Sequence, residues 1–364
     1  MTNAVDGDII LFPEGDYYGV SDPYLVIDKA VTLQGGWDGA AAGEVVIDPD
    51  WNYVWIDGEG SHALFVVDET ASVDGLITIA DFIFADGNAT AEGGAINIIS
   101  GRVDIVDNTF TVNYSGSYGG AIYTNSSDEV RILKNYFSNN EAANGGGAIM
   151  TGAGGDVLIE GNTFSGGHAI YGSAIHNDKS ELIINRNYFF DVHDTHAIDL
   201  YSTGVATTVS NNMIISSDGN AIRLHGANTD PFQILNNTIV EANNAGLYIS
   251  SSSQVNVVNN ILAKCGLGIP NYGASPTGSN NLFYNNGSDP MTLTDPLVDV
   301  DPLFVDPLNH DYHISPGSPA IDAGVTVSLD EDYDGDPRPR GGGFDIGADE
   351  VEGGGSIYLP LILR

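Results

Sequence analysis

Between roughly residues 63 and 283 apolar and polar positions alternate with a period of two in short stretches, such as Val130-Arg-Ile-Leu133, each followed closely by an asparagine. Alternation of this kind predicts strands with one buried face. The asparagines fall at Asn108, Asn135, Asn162, Asn187, Asn212, Asn237, Asn260 and Asn281, at intervals of 27, 27, 25, 25, 25, 23 and 21 residues. A second marker keeps nearly the same beat: Ile96, Ile122, Ile149, Ile175, Ile198, Ile222, Leu247 and Ile269. Chance turn asparagines would not stay in phase with a second marker, so the two together define one repeated structural unit. Asp81 and Ile83, 27 residues before Asn108 and Phe110, extend the series by one polar substitute.

Each unit has room for two or three short strands, and no apolar spacing of 3.6 residues suggests helices between them. The strands must therefore stack on those of the next unit. That predicts an all-β parallel solenoid of about 10 to 12 coils, with a rise of about 4.8 Å per coil and equivalent positions in rows along the axis. Isoleucine and phenylalanine rows fill the core. An inward asparagine has both donors and acceptors, so a column of them satisfies itself as a ladder. Residues 1–290 are assigned to the solenoid. Residues 291–352, rich in proline and aspartate, are expected to cap or flank the last coil, where open strand edges would otherwise be exposed. Residues 353–364 read as a glycine linker and an apolar tail.

These features resemble the right-handed parallel β-helix proteins of the pectate-lyase-like superfamily. The opening Asp6-Gly-Asp-Ile-Ile-Leu-Phe-Pro-Glu-Gly-Asp-Tyr17 and Val31-Thr-Leu-Gln-Gly-Gly-Trp37 look like the first coils of that group. Three C-terminal motifs, Asp301-Pro-Leu-Phe304, residues 311–324 and Phe344-Asp-Ile-Gly-Ala-Asp-Glu350, are similar to secreted β-helix proteins of the choice-of-anchor Q type. The resemblance implies an extracellular or cell-surface protein. It fixes the fold and leaves the activity open, because the superfamily contains lyases, hydrolases, epimerases and non-catalytic members.

Charge narrows the partners. With 49 acidic and 11 basic residues the formal charge is −38. No basic stripe exists to displace counterions from a nucleic acid, which is excluded as a partner. The same field opposes polyanionic sugars unless Ca²⁺ or salt screens it. Cys265 is the only cysteine, so no internal disulfide can form, and it reads as a buried filler. No transmembrane run or signal peptide is visible; Met1 leads into what reads as mid-strand sequence, as if a leader had been trimmed or an expression start added.

The rows carry the candidate chemistry. If each marker isoleucine points inward, the next residue points outward. That gives the row Asn97, Tyr123, Met150, His176, Asp199, Arg223, Tyr248 and, two residues on, Ile99, Asn125, Gly152, Asp178, Tyr201, His225, Ser250. His176, Asp178, Asp199, Arg223 and His225 thus form one ionisable patch, with Tyr123, Tyr201 and Tyr248 placed to stack on the apolar faces of a sugar chain. Asp178 and Asp199 would have Cβ atoms about 8 Å apart, which overlaps the roughly 6.5 to 9.5 Å of inverting glycosidases. A lyase would instead use His176, His225 or Arg223 as base, with Arg223 also able to neutralise a uronate carboxylate. Pairing of Asp199 with Arg223 across coils is equally how a solenoid face relieves like-charge repulsion.

Departures from the catalytic families are plain. No Asp-Asp dipeptide occurs, although polygalacturonase-like sites contain one, and the four lysines, Lys29, Lys134, Lys179 and Lys264, offer little to a lysine-dependent lyase. His168, His193, Asp194 and His196 cluster in sequence around one turn but match no metal-ligand signature. Asp330, Asp332, Asp334 and Asp336, with Gly335 at the bend, resemble the start of an EF-hand-like Ca²⁺ loop. Its twelfth position is Gly341 instead of glutamate, so Asp345, Asp349 or Glu350 would have to fold back; an unliganded acidic turn is the alternative.

The octapeptide from Ile357 to Arg364 is too short to cross a bilayer. It reads either as a sorting tail or as a final strand, and an exposed apolar strand would allow self-association. The expectation is a surface β-helix that binds polysaccharide along one face, with cleavage by a lyase or hydrolase reaction as a further step. The rival is a non-catalytic structural or adhesion protein that assembles through its C-terminal strand.

Overall fold

The computed structural model describes residues 3–19, 21–37, 53–70, 75–152, 154–201, 205–226, 230–250, 253–289 and 293–352. One coil shows the plan. Ile96–Ser100 turns at Gly101 into Arg102–Val106, Asn108 turns the chain into Thr109–Thr111, and the short strand Tyr114–Ser115 leads on to Ile122–Thr124 of the next coil. Equivalent strands pair in parallel into sheets of nine, ten and twelve strands. Nine coils carry all three sheets among the described residues, which form a right-handed parallel β-helix. No α-helix occurs among them, only a 3-10 turn at Pro307–Asn309.

The predicted rows exist in register. Ile96, Ile122, Ile149, Ile175, Ile198, Ile222 and Leu247 pair in succession along the nine-stranded sheet. Phe84, Phe110, Phe137, Phe164 and Phe189 stack face to face down the core, with centroids 5.0, 4.9, 4.8 and 4.7 Å apart. Every ladder asparagine is buried. Asn135 is typical: its Oδ1 accepts from the backbone N and Nδ2 of Asn108 at 2.9 and 3.1 Å, while its own Nδ2 donates to the Ile105 and Leu133 carbonyls. A second, shorter ladder, Asn113 on Asn140, satisfies the next corner.

One register expectation is corrected. Phe84 pairs with Phe110 and Ile83 with Thr109, a step of 26 residues, so Phe82 occupies the ladder position and Asp81 the residue before it. The Phe82 backbone N donates to Asn108 Oδ1 at 3.0 Å, ending the ladder. Asp81 takes the left-handed conformation (φ 62°) that Asp107, Lys134 and Arg186 adopt at the same corner.

The C-terminal region flanks the β-helix as a strap. After Leu297–Val298 extends the twelve-stranded sheet, the hairpin of Phe304–Asp306 and Asp311–Ile314 starts a path back along its outer face. There Met213, Ile215, Val240, Ile261 and Leu282 point outward and are buried by Tyr312, Ile314, Ala320, Ile346 and Ala348. A wholly buried Arg338–Glu350 pair at 2.5 Å holds the strap's own fold. Residues 353–364, on which the tail and self-association expectations rest, lie outside the described residues.

Candidate functional site

The outward face of the nine-stranded sheet carries the predicted rows: His176 pairs with Asp199, Asp199 with Arg223, and Arg223 with Tyr248. Asp178, Tyr201 and His225 form the adjacent row. Asp199 is the centre. Although it points away from the core, its side chain is 0% exposed, and Arg223 and His225 on the next coil close on it. His225 Nε2 donates to Asp199 Oδ1 at 2.7 Å, and Arg223 Nη1 donates to Oδ2 at 3.2 Å. Burial opposes ionisation of Asp199, but the His225 hydrogen bond and the electrostatic influence of the neighbouring His176, His225 and Arg223 outweigh it and hold the carboxyl below the usual range.

Tautomers follow from these contacts. The Asp199 carbonyl can only accept, so His176 Nδ1, 3.2 Å away, carries the proton and Nε2 keeps a lone pair. Burial pushes the His176 imidazole down, so it is neutral. His225 gives its Nε2 proton to the carboxylate and keeps its lone pair on Nδ1. Burial likewise lowers His196 to about 4, and its Nδ1 accepts from the Asn220 backbone N and Nδ2 at 3.3 and 3.1 Å. A fixed carboxylate that orients an imidazole in this way suits proton transfer.

Aromatic rings flank the centre. Tyr201 lies against the His225 ring with centroids 5.1 Å apart, and Tyr248 against Tyr272 at 5.0 Å. Tyr123 is half-buried two coils below Asp178; burial, then the charges of Glu92 and Asp178, raise its phenol. Asp178 itself is partly exposed and pairs with Lys179 Nζ at 3.6 Å, while Lys179 sits 5.8 Å from the Tyr201 ring centre. The structure therefore brings His176, Asp199, Arg223, His225 and Tyr201 together and leaves Asp178 engaged locally.

The corner histidines do not converge. His168 pairs with Asp194, His193 lies 3.7 and 3.6 Å from Asp191 and Asp218, and His196 is turned to Asn220. The acidic loop is also dispersed. Asp332 Oδ1 accepts from the backbone N of Asp334 and Asp336 at 3.0 and 2.8 Å, and its Oδ2 accepts from Glu350 N at 2.9 Å. Asp336 pairs with Arg340, and Asp330 is exposed. Of the four, only Asp334 joins a group of three ligand-type side chains among the described residues, with His313 and Asp349.

The profile of the family described as periplasmic copper-binding protein (NosD) matches residues 141–288, the coils that hold Asp199. Among solved structures, that of pectate lyase Pel9A matches over 96% of this chain and 89% of that one, at 13% identity and a TM-score of 0.51. The protein has the pectate-lyase-like β-helix fold. A PL6 alginate lyase, solved in complex with a trisaccharide, matches over 97% of this chain and 89% of that one, at 12% identity and a TM-score of 0.48. No curated protein matches the chain.

Three features of this β-helix escape row reasoning: the His196–Asn220 contact, the His313 group, and the seat of the strap. The last has a sequence signal. The corner residue before each ladder asparagine is itself asparagine only at Asn211, Asn236, Asn259 and Asn280. These four side chains donate to strap carbonyls: Asn211 to Glu331, Asn236 to Asp345, Asn259 to Val325 and Asn280 to Ala323. Asn-Asn pairs mark the coils that carry the strap.

Proposed function

We propose that this β-helix is an extracellular or cell-surface protein that binds polysaccharide along the face bearing Asp199, and that the Asp199–His225 pair moves a proton during cleavage of the bound chain. The observation that carries this reading is a buried, ionised carboxylate that fixes an imidazole tautomer beside the partly exposed ring of Tyr201. In an eliminative cleavage His225 Nδ1 would take the proton from the carbon bearing the uronate carboxyl, the released pair would form the C4=C5 double bond, and the C4–O bond would break with its pair going to the glycosidic oxygen, which takes a proton from solvent. In a hydrolytic one it would take a proton from water. Arg223 has guanidinium nitrogens beyond the one on Asp199 with which to meet a sugar carboxylate or hydroxyl.

A non-catalytic surface protein is the second reading. It is favoured by the full burial of Asp199, which lets the carboxylate orient its neighbours but touch no sugar. A Ca²⁺ role for Asp330, Asp332, Asp334 and Asp336 together would require Asp332 to release three backbone N–H groups, so cation binding is better supported at Asp334 alone.

The test is a panel of neutral and acidic glycans incubated with the protein, with and without Ca²⁺, and followed for new reducing ends and unsaturated sugars. At least one glycan should yield products, and His225→Gln should slow the reaction at least about 100-fold. Retention of glycan without products would select the second reading. Neither products nor retention would overturn the polysaccharide reading and leave the structural form of the second.

A further inference from the structure

Away from the sheet face, the strap gathers His313, Asp334 and Asp349 from three segments, with one ligand atom of each lying within 4.8 Å of the others. His313 Nδ1 lies 2.6 Å from Asp311 Oδ1, whose carboxylate accepts the Nδ1 proton. Asp334, then Asp311, raise the imidazole to about 9, so a metal ion would bind Nε2 in exchange for a proton. That Nε2 is buried and without a hydrogen-bond partner, although Asp334 Oδ2 is only 3.0 Å away. The contact is close but out of line for a ring N–H bond. It has the spacing of two ligands of one cation: bonds of about 2.1 Å at 90° to 109° place their ends about 3.0 to 3.4 Å apart. Asp349 is 6% exposed, and its Oδ2 accepts from Ile314 N at 2.8 Å, which aims the carboxylate.

We propose that His313 Nε2, Asp334 and Asp349 bind a divalent transition metal that clips the three segments of the strap together, with Asp311 as a positioning residue. One imidazole and two carboxylates form a donor set for Zn²⁺ or its neighbours. Ca²⁺ and Mg²⁺ prefer all-oxygen shells, and the imidazole is wasted on them. A carboxylate on the far ring nitrogen is the usual outer partner of a metal-bound histidine. Asp334 is half-exposed, so the ion enters from solvent and water completes its shell. This inference does not depend on polysaccharide binding.

The experiment is a calorimetric titration of Zn²⁺ into the chelator-treated full chain, repeated with excess Ca²⁺. One equivalent should bind, Ca²⁺ should not displace it, and the thermal midpoint should rise. His313→Gln should weaken binding at least 100-fold, and Asp311→Asn about 10- to 100-fold. Co²⁺ in place of Zn²⁺ should give a visible ligand-field band that His313→Gln abolishes. His193→Gln, in the exposed corner cluster, should leave both readouts unchanged. Absence of stoichiometric binding, displacement by Ca²⁺, or loss of binding in His193→Gln but not in His313→Gln would overturn the proposal.

Discussion

Asp199 and His225, 26 residues apart in sequence, meet across one coil boundary through a 2.7 Å bond from Nε2 to Oδ1. Strand register pairs Asp199 with Arg223 and Tyr201 with His225, so the imidazole reaches diagonally back to the carboxylate. A solenoid makes such contacts from residues that no local motif connects.

This contact fixes a pH dependence. The Asp199 carboxyl lies below its ordinary value of 3.8 in the fold. Its stabilisation is therefore fully present above that pH and is lost as pH falls through the lower folded value. Asp199→Asn should cost about 2 to 4 kcal/mol at pH 7, less than a wholly buried pair because Arg223 and His225 reach solvent. Urea unfolding of both proteins between pH 2 and 7 should show the difference shrinking below pH 4. A difference independent of pH would mean that the carboxylate is not ionised in the fold.

The asparagine ladder should respond unevenly along its length. Asn187→Ala strands the buried Asn162 backbone N, removes the donor from the Ile159 carbonyl and one of two from the Asn185 carbonyl, which keeps the Gly161 N–H, and removes the amide contact with Asn212. At about 1 to 3 kcal/mol per stranded group, the loss should reach about 3 to 5 kcal/mol in denaturant unfolding. Asn281, at the ladder's end, donates only to the Val257 and Ser279 carbonyls, so Asn281→Ala should cost less.

Strap docking can be isolated cleanly. Asn236 and Asn259 have φ of 52° and 56°, which glycine adopts at no cost. Asn236→Gly and Asn259→Gly therefore remove side-chain bonds to the strap while relieving backbone strain. Each should raise the rate of limited proteolysis within residues 326–343 by about tenfold, as expected for roughly 1 to 1.5 kcal/mol per bond. Unchanged cleavage would show that apolar burial alone holds the strap.

Much of this was legible in the sequence because the repeat supplies its own geometry. The spacing of Asn108, Asn135 and Asn162 gave the ladder, and one inward marker per coil gave the rows to which Asp199 and His225 belong. Asp81 was misplaced by one residue because the step to Asn108 shortens to 26, and an aspartate imitates a ladder asparagine better than Phe82 does. The seclusion of Asp199 was not legible, since alternation states only which way a side chain points. The aspartates of the 330–336 loop carry a calcium-like spacing that a turn also produces: Asp332 spends its oxygens on backbone N–H groups of its own loop and of Glu350. The His313 group joins residues 21 and 15 positions apart with no repeat to align them.

The most direct test of the polysaccharide-binding face is calorimetric titration of a glycan panel against the protein and its Tyr201→Ala, Tyr248→Ala double variant. Losing two stacking rings should weaken binding by about 2 kcal/mol or more, roughly 30-fold, without changing the unfolding midpoint by more than a few degrees. Equal affinity in the variant, or no bound glycan at all, would contradict the account.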